Sequence, residues 1–343
     1  MLEGASLPLN IAVFVGAAVV VWLAAVRLTR YADAIATRSG LGQEMVGLVL
    51  LGGATSLPEL AVATTATLQG TPALTINDLL GSAAINVILL AVADAAIRQG
   101  ALTSVQGSPK VLLVGVLGML MMALVVAPSI TGDRLVLGIG GWSWAMLVVY
   151  GAALWIMGHS QADAAWRPLR GGGDARAEGE GEHAAGPGLR SLVLRALAAA
   201  AIILVAGFLL ARSGEAVARQ TGLGTNFFGI VFLAFATSMP EVSTVLAAVR
   251  LKRYAMAISD VLGTNLFNVT IIVLVDALHP GGPVLVETGR FASFGALLAL
   301  VLTGLFLVGL IERRDRTLGR LGIDSVAALL AYAGGLAVLY ALR

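Results

Sequence analysis

The sequence predicts an all-α integral membrane protein: ten transmembrane helices arranged as two inverted five-helix repeats, with broken helices at the midplane. Three observations carry that expectation. The chain of 343 residues is 58% hydrophobic and only 12% charged, where a soluble domain is about 25% charged. Apolar segments long enough to cross a bilayer follow one another along the chain. The sequence also aligns with itself, without a gap, at an offset of 182 residues.

A helix crosses the hydrocarbon core with about 20 apolar residues. Segments 10–28, 43–68, 76–97, 110–130 and 135–158 satisfy this in the first half, and 191–211, 226–249, 256–278, 291–311 and 322–342 in the second. Residues 1–10 carry Glu3 and no basic cluster, so the first apolar run reads as a retained span rather than a cleavable signal. Between spans five and six, Gly, Ala and charges of both signs dominate, including Gly171–Gly173 and the run Glu178–Glu182. Such a stretch has no apolar face to bury and reads as a solvated linker. The expected organisation is a first repeat over 1–158, a cytoplasmic linker over 159–190 and a second repeat over 191–343. With the amino terminus outside, 17 of the 22 Lys and Arg fall on the cytoplasmic side and 5 outside. The positive-inside bias therefore favours both termini outside, in a multi-pass protein of a plasma (inner) membrane; Ala- and Arg-rich usage suggests a prokaryotic one.

The self-alignment pairs Gly40-Leu41-Gly42 with Gly222-Leu223-Gly224, and Thr55-Ser56-Leu57-Pro58-Glu59 with Thr237-Ser238-Met239-Pro240-Glu241. It also pairs Asp78, Gly81, Asn86 and Asp94 with Asp260, Gly263, Asn268 and Asp276, over roughly 17–94 against 199–276. Five spans per half is an odd number, so the halves enter the membrane with opposite orientation. Inverted repeats of this kind place a substrate site at the midplane of secondary transporters.

Glu59 and Glu241 lie mid-span. An intramembrane carboxylate costs roughly 2.5–3.5 kcal/mol on insertion scales, so it needs a partner or a function. No Lys or Arg occupies the apolar parts of spans two, three, seven or eight, which leaves a bound cation as the expected counter-charge. Thr55 and Glu59, four apart, share a helix face, and the spacing recurs as Ser82/Asn86 and Thr264/Asn268. Hydroxyl, amide and carboxylate oxygens are hard donors suited to Na⁺ and Ca²⁺. Pro58 and Pro240 each remove a backbone donor and clash with the carbonyl of Ala54 or Ala236, which breaks the helix beside the glutamate. Two glutamates balance one Ca²⁺ or two Na⁺. Asp78 and Asp260 fit helix-end or network roles as well as ion contact; Asp94 and Asp276, near span ends, are expected to anchor at an interface. His159, His183 and His279 fall outside the apolar runs. There is no cysteine and no phosphate-binding glycine loop, so thiol chemistry and ATP-driven pumping have no visible machinery.

These motifs, GGATSLPEL with DLLGSAAIN and AFATSMPEV with DVLGTNLFN, resemble the α-repeats of the cation/calcium antiporter superfamily, and of its sodium/calcium exchanger group in particular. The resemblance implies oxygen-lined ion sites between spans two, three, seven and eight, with alternating access by sliding of spans one and six. Carried over by position, its ligands fall on Thr55, Ser56, Glu59, Ser82 and Asn86, and on Thr237, Ser238, Glu241, Thr264 and Asn268. Backbone carbonyls near Gly52 and Ala234 join them. The chain departs from the pattern at Ala54 and Ala236, where the family commonly has Gly. At Ala83 an Asn is common, as its mate Asn265 retains. Asn86 and Asn268 are both neutral, where some relatives carry an Asp at one of them.

The expected function is Na⁺/Ca²⁺ antiport by alternating access, with a proton-coupled divalent-cation exchanger as the alternative, using the same glutamates. A passive channel would need a repeated filter of carbonyls, and an intramembrane enzyme a nucleophile–base pair; the sequence offers neither. The expected partners are the transported cations and the lipid bilayer. No cofactor, no nucleic acid and no obligatory protein partner is expected.

Overall fold

The computed structural model describes residues 5–39, 45–68, 70–97, 102–105, 109–159, 188–220, 229–287, 289–312, 317–318 and 321–342. Most of the expected linker, the glycine pair at 40–42 and 222–224, and His183 lie outside the described residues.

In the first half, α1 (Leu7–Ser39) precedes α2, which is π-helical over Val46–Leu51 and α-helical over Gly52–Thr55. Then come α3 (Leu57–Leu68), α4 (Pro72–Ala96), the short turn α5 (Leu102–Val105) and α6 (Pro109–Thr131). A hairpin of β1 (Leu135–Val136) and β2 (Ile139–Gly140) leads into α7 (Gly141–His159). The second half repeats the order. It begins with α8 (Leu189–Gln220) and α9, π-helical over Gly229–Leu233 and α-helical over Ala234–Thr237. There follow α10 (Met239–Arg250), α11 (Tyr254–Leu278), α12 (Val284–Glu287) and α13 (Gly289–Glu312). Antiparallel β3 (Thr317–Leu318) and β4 (Leu321–Gly322) then enter α14 (Ile323–Leu342). The register seen in sequence over the motifs thus extends to the ends of both halves: α1 and α8, α4 and α11, and α7 and α14 all begin 182 residues apart.

Packing between the halves is reciprocal. α2 lies on α11 and α9 on α4; α1 lies on α10 and α8 on α3; α1 and α8 pack along each other. Each half offers the other the same surfaces, as a two-fold relation requires. Five crossings per half, the number expected from the sequence, would put the two-fold axis in the membrane plane. α4 and α11 are innermost, with 78% and 67% of their spans buried, whereas α7 and α14 bury only 22% and turn apolar side chains outward.

Three span expectations change. Among the described residues eight helices are long and apolar enough to cross a bilayer, nine with the bent pair Val46–Thr55 and Leu57–Leu68. Segment 226–249 begins outside the described residues and is not among them, so by length and composition the ten expected spans stand at eight or nine. The segment 135–158 begins as a hairpin, whereas 322–342 is helical from Ile323, its hairpin lying before it. Leu137 and Gly138 adopt φ of 54° and 83°, the left-handed pair of a tight two-residue turn; the apolar strand residues had merged with the helix behind them. The first helix runs on to Ser39, so Arg27, Arg30 and Arg38 sit on helix rather than in a loop. At about 1.5 Å per residue such a helix outreaches a hydrocarbon core of about 30 Å.

Asp94 and Asp276 do not anchor at an interface. Both are buried, and each clamps the two halves together. Asp94 accepts hydrogen bonds from Leu102 N (2.6 Å) in its own half, and from Gly322 N (2.6 Å) and Ser325 Oγ (2.7 Å) in the other. Its mate Asp276 accepts them from Val284 N (2.8 Å), Gly140 N (2.6 Å) and Ser143 Oγ (2.8 Å). Three donors on a buried carboxylate replace its hydration, so the charge needs no Lys or Arg.

Candidate functional site

The site starts at the two helix breaks. Pro58 and Pro240 have no N–H for the carbonyls four residues earlier. The residues two before them, Ser56 (φ −78°, ψ 1°) and Ser238 (φ −81°, ψ 4°), leave helical geometry. The chain bends by 43° between α2 and α3. Glu59 and Glu241 therefore fall in the first turns of α3 and α10, where the helix dipole favours negative charge. Gly207 of α8 lies so close to Pro58 that a Cβ there would meet the ring at 2.5 Å, so α8 covers the first break directly.

Glycines bring the supporting helices in. A Cβ on Gly263 of α11 would sit 2.7 Å from Leu48 Cα of α2, and one on Gly81 of α4 would overlap the Ile230 carbonyl oxygen of α9. The next residues are Ser82 and Thr264. Close approach sets each hydroxyl against the opposite half: Thr55 Oγ1 lies 3.2 Å from Thr264 Oγ1, and Ser82 Oγ lies 3.1 Å from Thr237 Oγ1.

All ten sequence-predicted residues, Thr55, Ser56, Glu59, Ser82, Asn86, Thr237, Ser238, Glu241, Thr264 and Asn268, are fully buried. Among the described residues, both carboxylate oxygens of Glu59 and of Glu241, Ser238 Oγ, Asn86 Oδ1 and both polar atoms of Asn268 have no hydrogen-bond partner. Neither described ion pair, Arg253–Asp33 or His279–Glu287, involves them. Glu59 and Glu241 are close enough for their charges to act on each other. The remaining hydroxyls are partly committed: Thr55 Oγ1 lies 3.0 Å from Leu51 O, and Ser56 Oγ donates to Gly52 O at 2.8 Å. The Gly52 and Ala234 carbonyls accept hydrogen bonds within the chain, Ala234 O from Ser238 N at 3.0 Å.

Sequence reasoning left Asp78 and Asp260 undecided. Both are fully buried beside the site. Thr237 Oγ1 donates to Asp78 Oδ1 at 3.3 Å, and Thr244 Oγ1 donates to Asp260. Asp78 lies near Glu59, and Asp260 near Glu241. Their four-residue spacing before Ser82 and Thr264 was the available signal, since it puts them on the same helix faces. Among the described residues no group of three or more His, Cys, Asp or Glu forms a metal centre. The donor set is mixed, two carboxylates among hydroxyls and amides, which suits a hard cation held for a short time.

The sodium/calcium exchanger protein family model matches residues 9–158 and 191–341. The chain belongs to that family. Among its relatives is a protein of Alkalimonas amylolytica named as a candidate antiporter, CaxA, 26% identical over 317 residues that cover 90% of this chain and 93% of the relative. The inner membrane protein YrbG of Escherichia coli (strain K12) is 26% identical over 259 residues, 75% of this chain and 76% of its own. Among solved structures, the sodium-calcium exchanger NCX_Mj soaked with Na⁺ and Sr²⁺ superposes with a TM-score of 0.70 at 16% identity, covering 97% of this exchanger and 99% of NCX_Mj. NCX_Mj soaked with zero Na⁺ and Ca²⁺ gives 0.68 at 14% identity. At such identities the likeness is one of fold. Family membership makes this chain a multi-pass cation/calcium antiporter and not an enzyme.

Proposed function

We propose that this exchanger exports Ca²⁺ against Na⁺ entry by alternating access, with Glu59 and Glu241 as the primary ligands of both ions. The observation that carries the reading is the pair of pseudo-symmetric helix breaks. Each puts a fully buried carboxylate at the middle of the helix bundle, with no basic or hydrogen-bonding partner for its oxygens among the described residues. A cation entering between them offsets a desolvation cost that nothing else among the described residues offsets. Thr55, Ser82, Asn86, Thr237, Ser238, Thr264 and Asn268 complete the shells, and Ser56 joins when its hydroxyl leaves Gly52 O. Competition of Ca²⁺ and Na⁺ for one site is what couples their movements. α1 and α8 are the moving elements in this reading: they pack on each other and cover the two breaks through α10 and α3.

A second reading, exchange of Ca²⁺ for H⁺, draws support from Asp78 and Asp260. Four buried carboxylates exceed the charge of one Ca²⁺, and protons are one way to offset the remainder. The deciding experiment is uptake of radiolabelled Ca²⁺ into proteoliposomes loaded with Na⁺ and diluted into Na⁺-free buffer at equal pH. Uptake that requires internal Na⁺ is expected. Uptake only under an imposed pH gradient would replace Na⁺ by H⁺ as the coupling ion. Ca²⁺ flux that follows its own gradient, without any counter-ion, would overturn coupled exchange.

A further inference from the structure

Among the ten candidate ligands the two-fold relation breaks at the serines, where Ser56 Oγ donates to Gly52 O and Ser238 Oγ has no partner among the described residues, and at the amides. Asn86 and Asn268 are mates and both are fully buried, yet they are bonded differently. Asn265 Nδ2 donates to the carbonyl oxygen of Ala83 at 3.0 Å, and Asn86 Nδ2 donates to Asn265 Oδ1 at 3.1 Å. The order of donors is forced. A carbonyl oxygen only accepts, so the NH₂ of Asn265 faces Ala83 and its Oδ1 faces Asn86. That Oδ1 also only accepts, so Asn86 presents its NH₂. Asn86 Oδ1 is thereby turned the other way, where it is buried and without a hydrogen-bond partner.

Asn268 has no such strut. The residue that would brace it, the mate of Asn265, is Ala83, whose methyl group neither donates nor accepts. Both Oδ1 and Nδ2 of Asn268 are buried without a partner. We propose that Asn265 is a positioning residue that aims the Asn86 carboxamide oxygen at the cation, so that two amide subsites equivalent in the repeat are unequal in the protein. Asn86 is set to ligate before the ion arrives; Asn268 is free to rotate and must be oriented on binding. An oxygen held in its binding orientation lowers the ordering cost of ligation. The inequality traces to one position, Ala83 against Asn265. The proposal rests on the cation-site reading above.

The test is a double-mutant cycle on the purified full chain, reading cation-induced rise in melting temperature against CaCl₂ concentration, and separately NaCl, at fixed pH and ionic strength. Asn265→Ala is expected to raise the half-stabilising Ca²⁺ concentration about tenfold, the weight of a hydrogen bond that fixes a ligand. The same factor is expected in an Asn268→Ala background, and no more than about a twofold change in an Asn86→Ala background, because coupled residues are non-additive and independent ones add. An equal rise in the Asn86→Ala background would overturn the proposal, since Asn265 would then act through general packing. So would an Asn265→Ala protein that titrates like the wild type. Should that variant fail to fold, Asn265→Leu, of similar volume without polar atoms, takes its place; failure of both would assign the side chain a structural role and overturn the proposal too. A wild type stabilised by neither cation would overturn the cation-site reading itself, and this proposal with it.

Discussion

At Glu59 and Glu241, the proposed role and stability pull in opposite directions. Each is a buried carboxyl group without a hydrogen-bond partner for its oxygens among the described residues, so the cation-free protein bears the cost of burying it unsatisfied. Glu59→Gln and Glu241→Gln keep the shape and remove the charge. Exchange by either variant is expected to fall to about a tenth of wild type or less, while the melting temperature without cations stays level or rises, and the Ca²⁺-induced rise disappears. Robust exchange by a properly inserted Glu241→Gln protein would remove these residues from the site. The glycines behind the hydroxyls work by space. Gly81→Ala forces a Cβ into the Ile230 carbonyl, and Gly263→Ala forces one against Leu48 Cα. Backbone cannot yield as a flexible side chain can, so each is expected to cost about 3 kcal/mol, measurable as a lower melting temperature in detergent. The ligand-type residues were legible because the chain writes them twice, in one register, where an unpaired carboxylate is costly. Asp78, Asp260 and Asn265 were less legible. Their roles depend on which side chain or carbonyl the other half brings up: Thr237 for Asp78 and the Ala83 carbonyl for Asn265.

Between elements, the two aspartate clamps hold the scaffold. Each of Asp94 and Asp276 joins the end of an inner helix to the short turn that follows it and to the hairpin of the other half. Asp94→Ala leaves two backbone N–H groups and the Ser325 hydroxyl without an acceptor in a buried place. It is expected to destabilise by about 3 kcal/mol, and Asp276→Ala by a similar amount, because the mates make the same bonds. Equal melting temperatures for variant and wild type would show that these bonds are replaced by water. The sequence showed two acids near span ends; it could not show hairpin N–H groups arriving from the far half, so interface anchoring was the natural expectation. The hairpins were hidden for a related reason. Leu135, Val136 and Ile139 are as apolar as a helix face, and only the left-handed Leu137-Gly138 turn between the two strands marks the first hairpin.

For the whole molecule, the inverted repeat makes a prediction that charge counting alone cannot make. Mates 182 residues apart must lie on opposite faces of the membrane, so Thr71, before α4, and Lys252, at the matching turn before α11, are opposed whichever way the protein inserts. The positive-inside bias then chooses the direction, with 17 of the 22 basic residues cytoplasmic when the amino terminus is outside. The chain has no cysteine, so single substitutions can be read without background labelling. Ser6→Cys, Thr71→Cys and Arg134→Cys are expected to react with a membrane-impermeant maleimide on intact expressing cells. Gly188→Cys and Lys252→Cys are expected to react only after permeabilisation. All five positions are exposed, so a failure to react reports sidedness rather than burial. A complete reversal would turn the protein over and leave the repeat intact, which would also reverse the face from which the proposed movement of α1 and α8 admits Ca²⁺. Labelling of Thr71→Cys and Lys252→Cys from one and the same side would break the inverted relation, and with it the argument that the two glutamates meet from opposite directions at one site.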